Sequence, residues 1–135
     1  MLINGDIAVD DRGSVTFVND FTFEGVKRFY MVQNHSKGYV RAWHGHKKES
    51  KYVLVVRGTI LLGLVNMKTG ETNTVVLSDK KPKVCYIPAG HYNGFKTLTD
   101  DAQVMFFSTS TLQESMGDDF RKPADTWDIL KVEER

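Results

Sequence analysis

Nine short runs rich in Val, Ile, Phe, Tyr and Thr follow one another along this chain, each bounded by turn residues. They are SVTFV (14–18), RFYMV (28–32), YVRAWH (39–44), KYVLVV (51–56), TILLGLV (59–65), TNTVVL (72–77), KVCYIP (83–88), GFKTL (94–98) and AQVMFFS (102–108). Branched and aromatic side chains suit a pleated, half-buried surface, and evenly spaced short strands close into a sandwich or small barrel. Arg57-Gly58 reads as a tight hairpin turn, and VNMKTGET as a second turn closed by Gly70. The runs at 52–57 and 59–65 are apolar on both faces, as expected between two sheets or at an oligomer interface. Only STLQESMGDDF promises a helical turn. The polar tail RKPADTWDILKVEER carries Trp127 and Ile129, which are expected to pin it to the body.

The chain has 135 residues, enough for one domain and too few for two ordinary ones, so residues 1–135 are read as a single domain. Its 18 Lys and Arg balance 17 Asp and Glu, which argues against a nucleic-acid surface. Local basic clusters at Lys47–Lys48 and Lys80, Lys81 and Lys83 suit either plain solvated surface or a phosphorylated small molecule. The one cysteine, Cys85, lies in an apolar run and excludes an internal disulfide. MLINGDIAVD lacks the pattern of a signal peptide, and no apolar run reaches membrane-spanning length. A cytoplasmic protein without membrane contact is therefore expected.

His44 and His46 stand two apart, so a strand points both to one face, together with Val40 and Ala42. Arg41 and Trp43 then face the other way. Such a pair serves as half of a metal site, as an acid/base device or as packing. The surrounding spacing resembles the first motif of the cupin superfamily: Gly38, five residues, His44-Gly45-His46, then a closing Gly58. The motif's carboxylate, however, falls on Lys51. Glu49 comes two residues early and is read as facing away from Lys51. The second cupin motif is similar to Pro88-Ala89-Gly90, but its last histidine falls on Asn93. An ammonium and an amide do not suit a divalent cation, so no metal or other cofactor is expected.

A wider resemblance covers most of the chain. DDRGSV, VQNHSKGYVRAWH, KYVLVVRGTI and YIPAGHYNGFKTLTDDAQVMFFSTS are similar, in order, to segments of the dTDP-4-dehydrorhamnose 3,5-epimerase family of cupins. RAWHGHKK and VKRFYMV look more like the sister sugar-nucleotide 3,4-ketoisomerases. The resemblance implies an all-β, cupin-type jelly-roll sandwich, a homodimer, and an isomerase acting on a dTDP-linked 4-keto-6-deoxy sugar. It places the activity in deoxysugar, surface-polysaccharide or lipopolysaccharide biosynthesis.

Carried over by residue, the resemblance makes His44 the base and Lys51 the cation at the enolate oxygen, with His46 as a second proton shuttle. Arg12, Asn34, Arg41, Asn93 and Tyr30 become substrate contacts. The acid tyrosine of the epimerases falls on Phe106, which carries no proton. Epimerisation and ketoisomerisation both stay open, as does a non-catalytic cupin that binds a sugar nucleotide. Arg41, placed opposite His44 by alternation, requires an irregular strand or a neighbouring site.

Overall fold

The computed structural model describes all residues, 1–135. The chain folds into β1 (Leu2–Asn4), β2 (Asp6–Asp10), β3 (Gly13–Phe17), β4 (Arg28–Gln33), β5 (Val40–His46), β6 (Lys51–Arg57) and β7 (Thr59–Asn66). There follow β8 (Thr72–Ser78), β9 (Lys83–Ile87), β10 (His91–Thr97), β11 (Gln103–Ser108), α1 (Leu112–Met116) and β12 (Phe120–Arg121). Every apolar run of the sequence became a strand. The short β1, β2 and β12 were not anticipated.

Two five-stranded antiparallel sheets stack, in the orders β1-β9-β6-β11-β4 and β12-β5-β10-β7-β8. Val53, Val55, Cys85, Ile87, Val104 and Phe106 of the first meet Ile60, Leu62, Leu77 and Phe95 of the second in the main core. This is the jelly-roll sandwich expected. The turns close where glycine supplies positive φ, +76° at Gly58 and +74° at Gly70.

The doubly apolar β7 has its reason here. Its Ile60 and Leu62 face the main core, while Leu61 and Val65 join Trp43 and Leu130 in a second cluster on the outer face. Trp43 is fully buried there because Gly63 and Gly94, directly opposed on β7 and β10, leave space for it. A Cβ on Gly63 would lie 2.7 Å from the indole, and one on Gly94 2.9 Å. The tail closes this cluster as expected. Trp127 stands edge-on to Trp43 at 5.5 Å, and the Trp43 indole N–H donates to the Ala124 carbonyl at 3.2 Å.

Thr111 and Glu114 start α1 with reciprocal side-chain and backbone hydrogen bonds. Those bonds, with Lys27, hold the Glu114 carboxyl at about 2. No helix is long and apolar enough to cross a membrane.

Candidate active site

Between the sheets, on the side covered by α1 and β12, lies a cavity of about 310 Å³. Tyr30 and Phe106, directly paired on β4 and β11, stack at 5.1 Å and form its aromatic floor. Lys51 enters from the start of β6, its ammonium 5.6 Å from the Tyr30 ring and 5.7 Å from that of Phe106. His44, His46 and Arg41 line the wall from β5, with Asn93 from β10 beside them.

Strict alternation separates Arg41 from His44, yet both face the cavity. The register explains this. Asn93 pairs with His44 and Phe95 with Arg41, so β5 spends three steps where β10 spends two. The extra residue is a bulge that turns Arg41 inward. Ala42, expected on the His44 face, packs instead against Trp43. Asn34 stands behind Arg41, accepting from its Nε at 2.7 Å, and does not line the cavity itself. Asn93 lines the cavity while donating to the His44 carbonyl at 3.2 Å.

Arg12 is not brought to this cavity. It lies at the β2–β3 turn, side chain 86% exposed, paired with Asp10 at 2.6 Å. Within one chain its expected contact with the site is therefore absent. His46 lines the cavity with one of its ring nitrogens engaged. Nδ1 contacts the Asp118 carbonyl, which only accepts, so this nitrogen carries the proton. Nε2 faces Glu49 at 3.9 Å.

Glu49 corrects the sequence reading outright. It does not face away from Lys51; its Oε2 lies 3.5 Å from Lys51 Nζ. Residues two apart in extended chain share a side, and the short turn into β6 keeps that relation.

Four further residues belong to the site. Arg28 precedes Tyr30 by two on β4, so alternation alone would have found it; its guanidinium lies 5.0 Å from the Tyr30 ring centroid. Asp119 and Arg121 come from GDDFR, brought in because β12 pairs with β5 and sets Arg121 opposite His44. Nothing local in the sequence signals that long-range pairing. Asp118 accepts backbone N–H bonds from Lys47, Lys48 and Glu49 at 2.8, 2.9 and 3.0 Å. Burial works against its charge, but these three donors outweigh burial and hold its carboxyl below the usual range. Asp118→Ala should therefore destabilise the fold by about 3 kcal/mol, measured by urea unfolding, because three donors lose their acceptor.

Burial pushes the His44 imidazole below its ordinary pKa, and the positive charges of Arg121 and Lys51 push it further. Asp119 opposes them without reversing the shift. His44 is thus a neutral imidazole at neutral pH, ready to accept a proton. Lys51, Arg28, Arg41 and Arg121 ring the cavity with positive charge, and Asp119 is its one lining carboxylate. The residues at the cupin ligand positions do not fit a divalent cation. Lys51 brings its own positive charge, Asn93 turns its amide N–H₂ to a carbonyl, and no group of three or more His, Cys, Asp or Glu can hold an ion.

A jelly roll whose open side holds two histidines, a lysine and three arginines over stacked aromatics has the architecture of a cupin. The sequence model of the family described as dTDP-4-dehydrorhamnose 3,5-epimerase matches residues 1–125, and the chain belongs to that family. It is 30% identical over 123 residues to the dTDP-4-dehydrorhamnose 3,5-epimerase of Methanothermobacter thermautotrophicus, covering 81% of this chain. It spans 66% of that relative's length, just under two thirds.

Solved structures share the fold at lower identity. The dTDP-4-dehydrorhamnose 3,5-epimerase of Bacillus anthracis, with TDP and PPi bound, superposes with a TM-score of 0.81 at 19% identity, over 97% of this chain and 82% of that one. A 3'-monoepimerase from Streptomyces bikiniensis in complex with dTDP-quinovose gives 0.76 at 22%, over 89% and 67%. A sugar 3,4-ketoisomerase from Thermoanaerobacterium thermosaccharolyticum in complex with TDP gives 0.72 at 22%, over 90% and 87%.

Proposed function

We propose that this protein is a metal-independent isomerase acting on a dTDP-linked 4-keto-6-deoxy sugar in deoxysugar or surface-polysaccharide biosynthesis. The observation that carries the reading is His44 and Lys51 converging on one cavity, with burial and its cationic neighbours favouring the neutral form of His44. A 4-ketone acidifies the neighbouring C–H bonds. His44 takes the proton, the electron pair moves onto the ketone oxygen, and Lys51 stabilises the resulting enolate. Returning a proton to the opposite face of the same carbon inverts it. Arg28, Arg41 and Arg121 suit the diphosphate, since guanidinium forks match phosphate oxygens. The Arg28 Nε is buried and without a protein partner, as expected of a donor reserved for ligand.

Inversion needs a donor opposite the base. Phe106, 3% exposed in the cavity floor, offers no proton, so fewer carbons should be served. Incubation with a panel of 4-keto sugar nucleotides in deuterated water, read by NMR, tests this. The expected result is deuterium at C3 alone. Inversion of both C3 and C5 would overturn the one-carbon reading, and deuterium nowhere would leave a non-catalytic binder. A 3-keto product would identify the ketoisomerase variant. In that reaction the C3 proton leaves and O4 takes a proton to give the enediol; O3 then gives up its proton and becomes the carbonyl as a proton returns to C4.

The same proposal includes a homodimer. Strands β2 and β3 hydrogen-bond only to one another, and a lone hairpin is marginal in water. Phe23, Phe29 and Met31 leave apolar surface exposed on the first sheet's side. A second copy covering this face gives the hairpin a partner, and gives Arg12 a cavity to reach.

A further inference from the structure

Behind the cavity wall lies a carboxylate that the reaction above does not use. Glu49 sits in the turn between β5 and β6, 2% exposed, and neither of its carboxylate oxygens has a hydrogen-bond partner. A buried carboxylate without hydrogen bonds is tolerated only beside opposite charge. Two side chains face it: Lys51 with Nζ at 3.5 Å and His46 with Nε2 at 3.9 Å, both from Oε2.

The arrangement is held from three directions. Asp118 clasps the turn through the N–H groups of residues 47, 48 and 49, and its carbonyl fixes the His46 ring. The floor rings of Tyr30 and Phe106 flank the ammonium. The Lys51 ammonium has no ion-pair partner other than Glu49 and makes no hydrogen bond within the chain. Of the charged groups around the cavity, Arg28, Arg41 and Arg121 repel it, and Asp119 is engaged by Arg121 at 3.2 Å.

We propose that Glu49 is a positioning residue, whose carboxylate pairs with Lys51 from behind and aims the ammonium's remaining N–H groups into the cavity. The consequence for turnover rests on the isomerase reading; the geometry does not. Glu49→Gln keeps the side-chain volume and removes the charge, and Glu49→Asp keeps the charge.

Two measurements test the role. In protein labelled with ¹⁵N-lysine, the Lys51 ammonium signal, assigned by its loss in Lys51→Met, should vanish from its position in Glu49→Gln and persist in Glu49→Asp. Deuterium exchange should fall about a hundredfold in Glu49→Gln, the cost of a misplaced catalytic group. The dissociation constant for dTDP should stay unchanged, and Glu49→Gln should add no loss in the Lys51→Met background. An unmoved ammonium signal, or exchange by a folded Glu49→Gln within twofold of the unmodified protein, would overturn the proposal. So would equal losses in the Asp and Gln variants. If the unmodified protein exchanges no deuterium at all, the isomerase reading fails, and the ammonium signal still decides the role of Glu49.

Discussion

His44→Asn should abolish nearly all hydrogen exchange at the carbon beside the ketone, by about a hundred- to ten-thousandfold, the range typical of a general base. The sandwich should survive the change. The imidazole makes no side-chain hydrogen bond in the structure, and the backbone pairing of His44 with Asn93 and Arg121 does not depend on it. The pH dependence of exchange carries the same assignment. A base works only when neutral, so activity should be lost as pH falls through the His44 pKa. Burial, Arg121 and Lys51 place that pKa below the ordinary 6.5. The acid limb should therefore lie below the usual histidine range, and Arg121→Gln, which removes one positive neighbour, should move it upward. Its position is the diagnostic, because Arg121 also lines the cavity and its loss will lower the height of the profile. Near-normal exchange in folded His44→Asn protein would take His44 out of the mechanism.

What was legible in the sequence follows the range of the interactions concerned. Strand identity is local, and all nine apolar runs formed strands. The β2 segment DIAVD was missed because its apolar residues Ile7, Ala8 and Val9 stand in a row without alternation, between two aspartates, in a mostly exposed strand. Turn glycines were readable because positive φ is a demand made within two or three residues. The slot that admits Trp43 was not, because it needs Gly63 of β7 and Gly94 of β10 in register.

The site divides the same way. His44 and Lys51 followed from spacing along two strands consecutive in the chain, which the fold places in opposite sheets. Arg41 came within reach of the cavity through a bulge that is visible only as a mismatch between β5 and β10. Asp118, Asp119 and Arg121 are delivered by a strand of two residues that meets β5 some seventy positions away in the chain. Arg12, by contrast, was read from a motif, and the fold of the chain leaves it exposed at the β2–β3 turn, paired with Asp10.

Lys51→Met is the change that should separate binding from chemistry most clearly. The stem of the side chain is kept, so the Tyr30–Phe106 floor stays covered, while the charge beside the forming enolate is lost. Removing one such stabilising group typically costs about a hundred- to a thousandfold in turnover. With the ammonium gone, Glu49 remains as a buried anion without a partner. The same orphaned charge should appear in stability. Breaking a buried ion pair by deleting one partner costs about 3 to 5 kcal/mol, most of it from the charge left behind. Lys51→Met should thus unfold at lower denaturant concentration, and adding Glu49→Gln should restore much of the stability without restoring exchange. Binding of dTDP, which the arginines support, should change little in either variant. Titration calorimetry, denaturant unfolding and deuterium exchange on the same three proteins give the comparison. Recovery of exchange together with stability in the double variant would mean that Lys51 serves the fold and not the enolate.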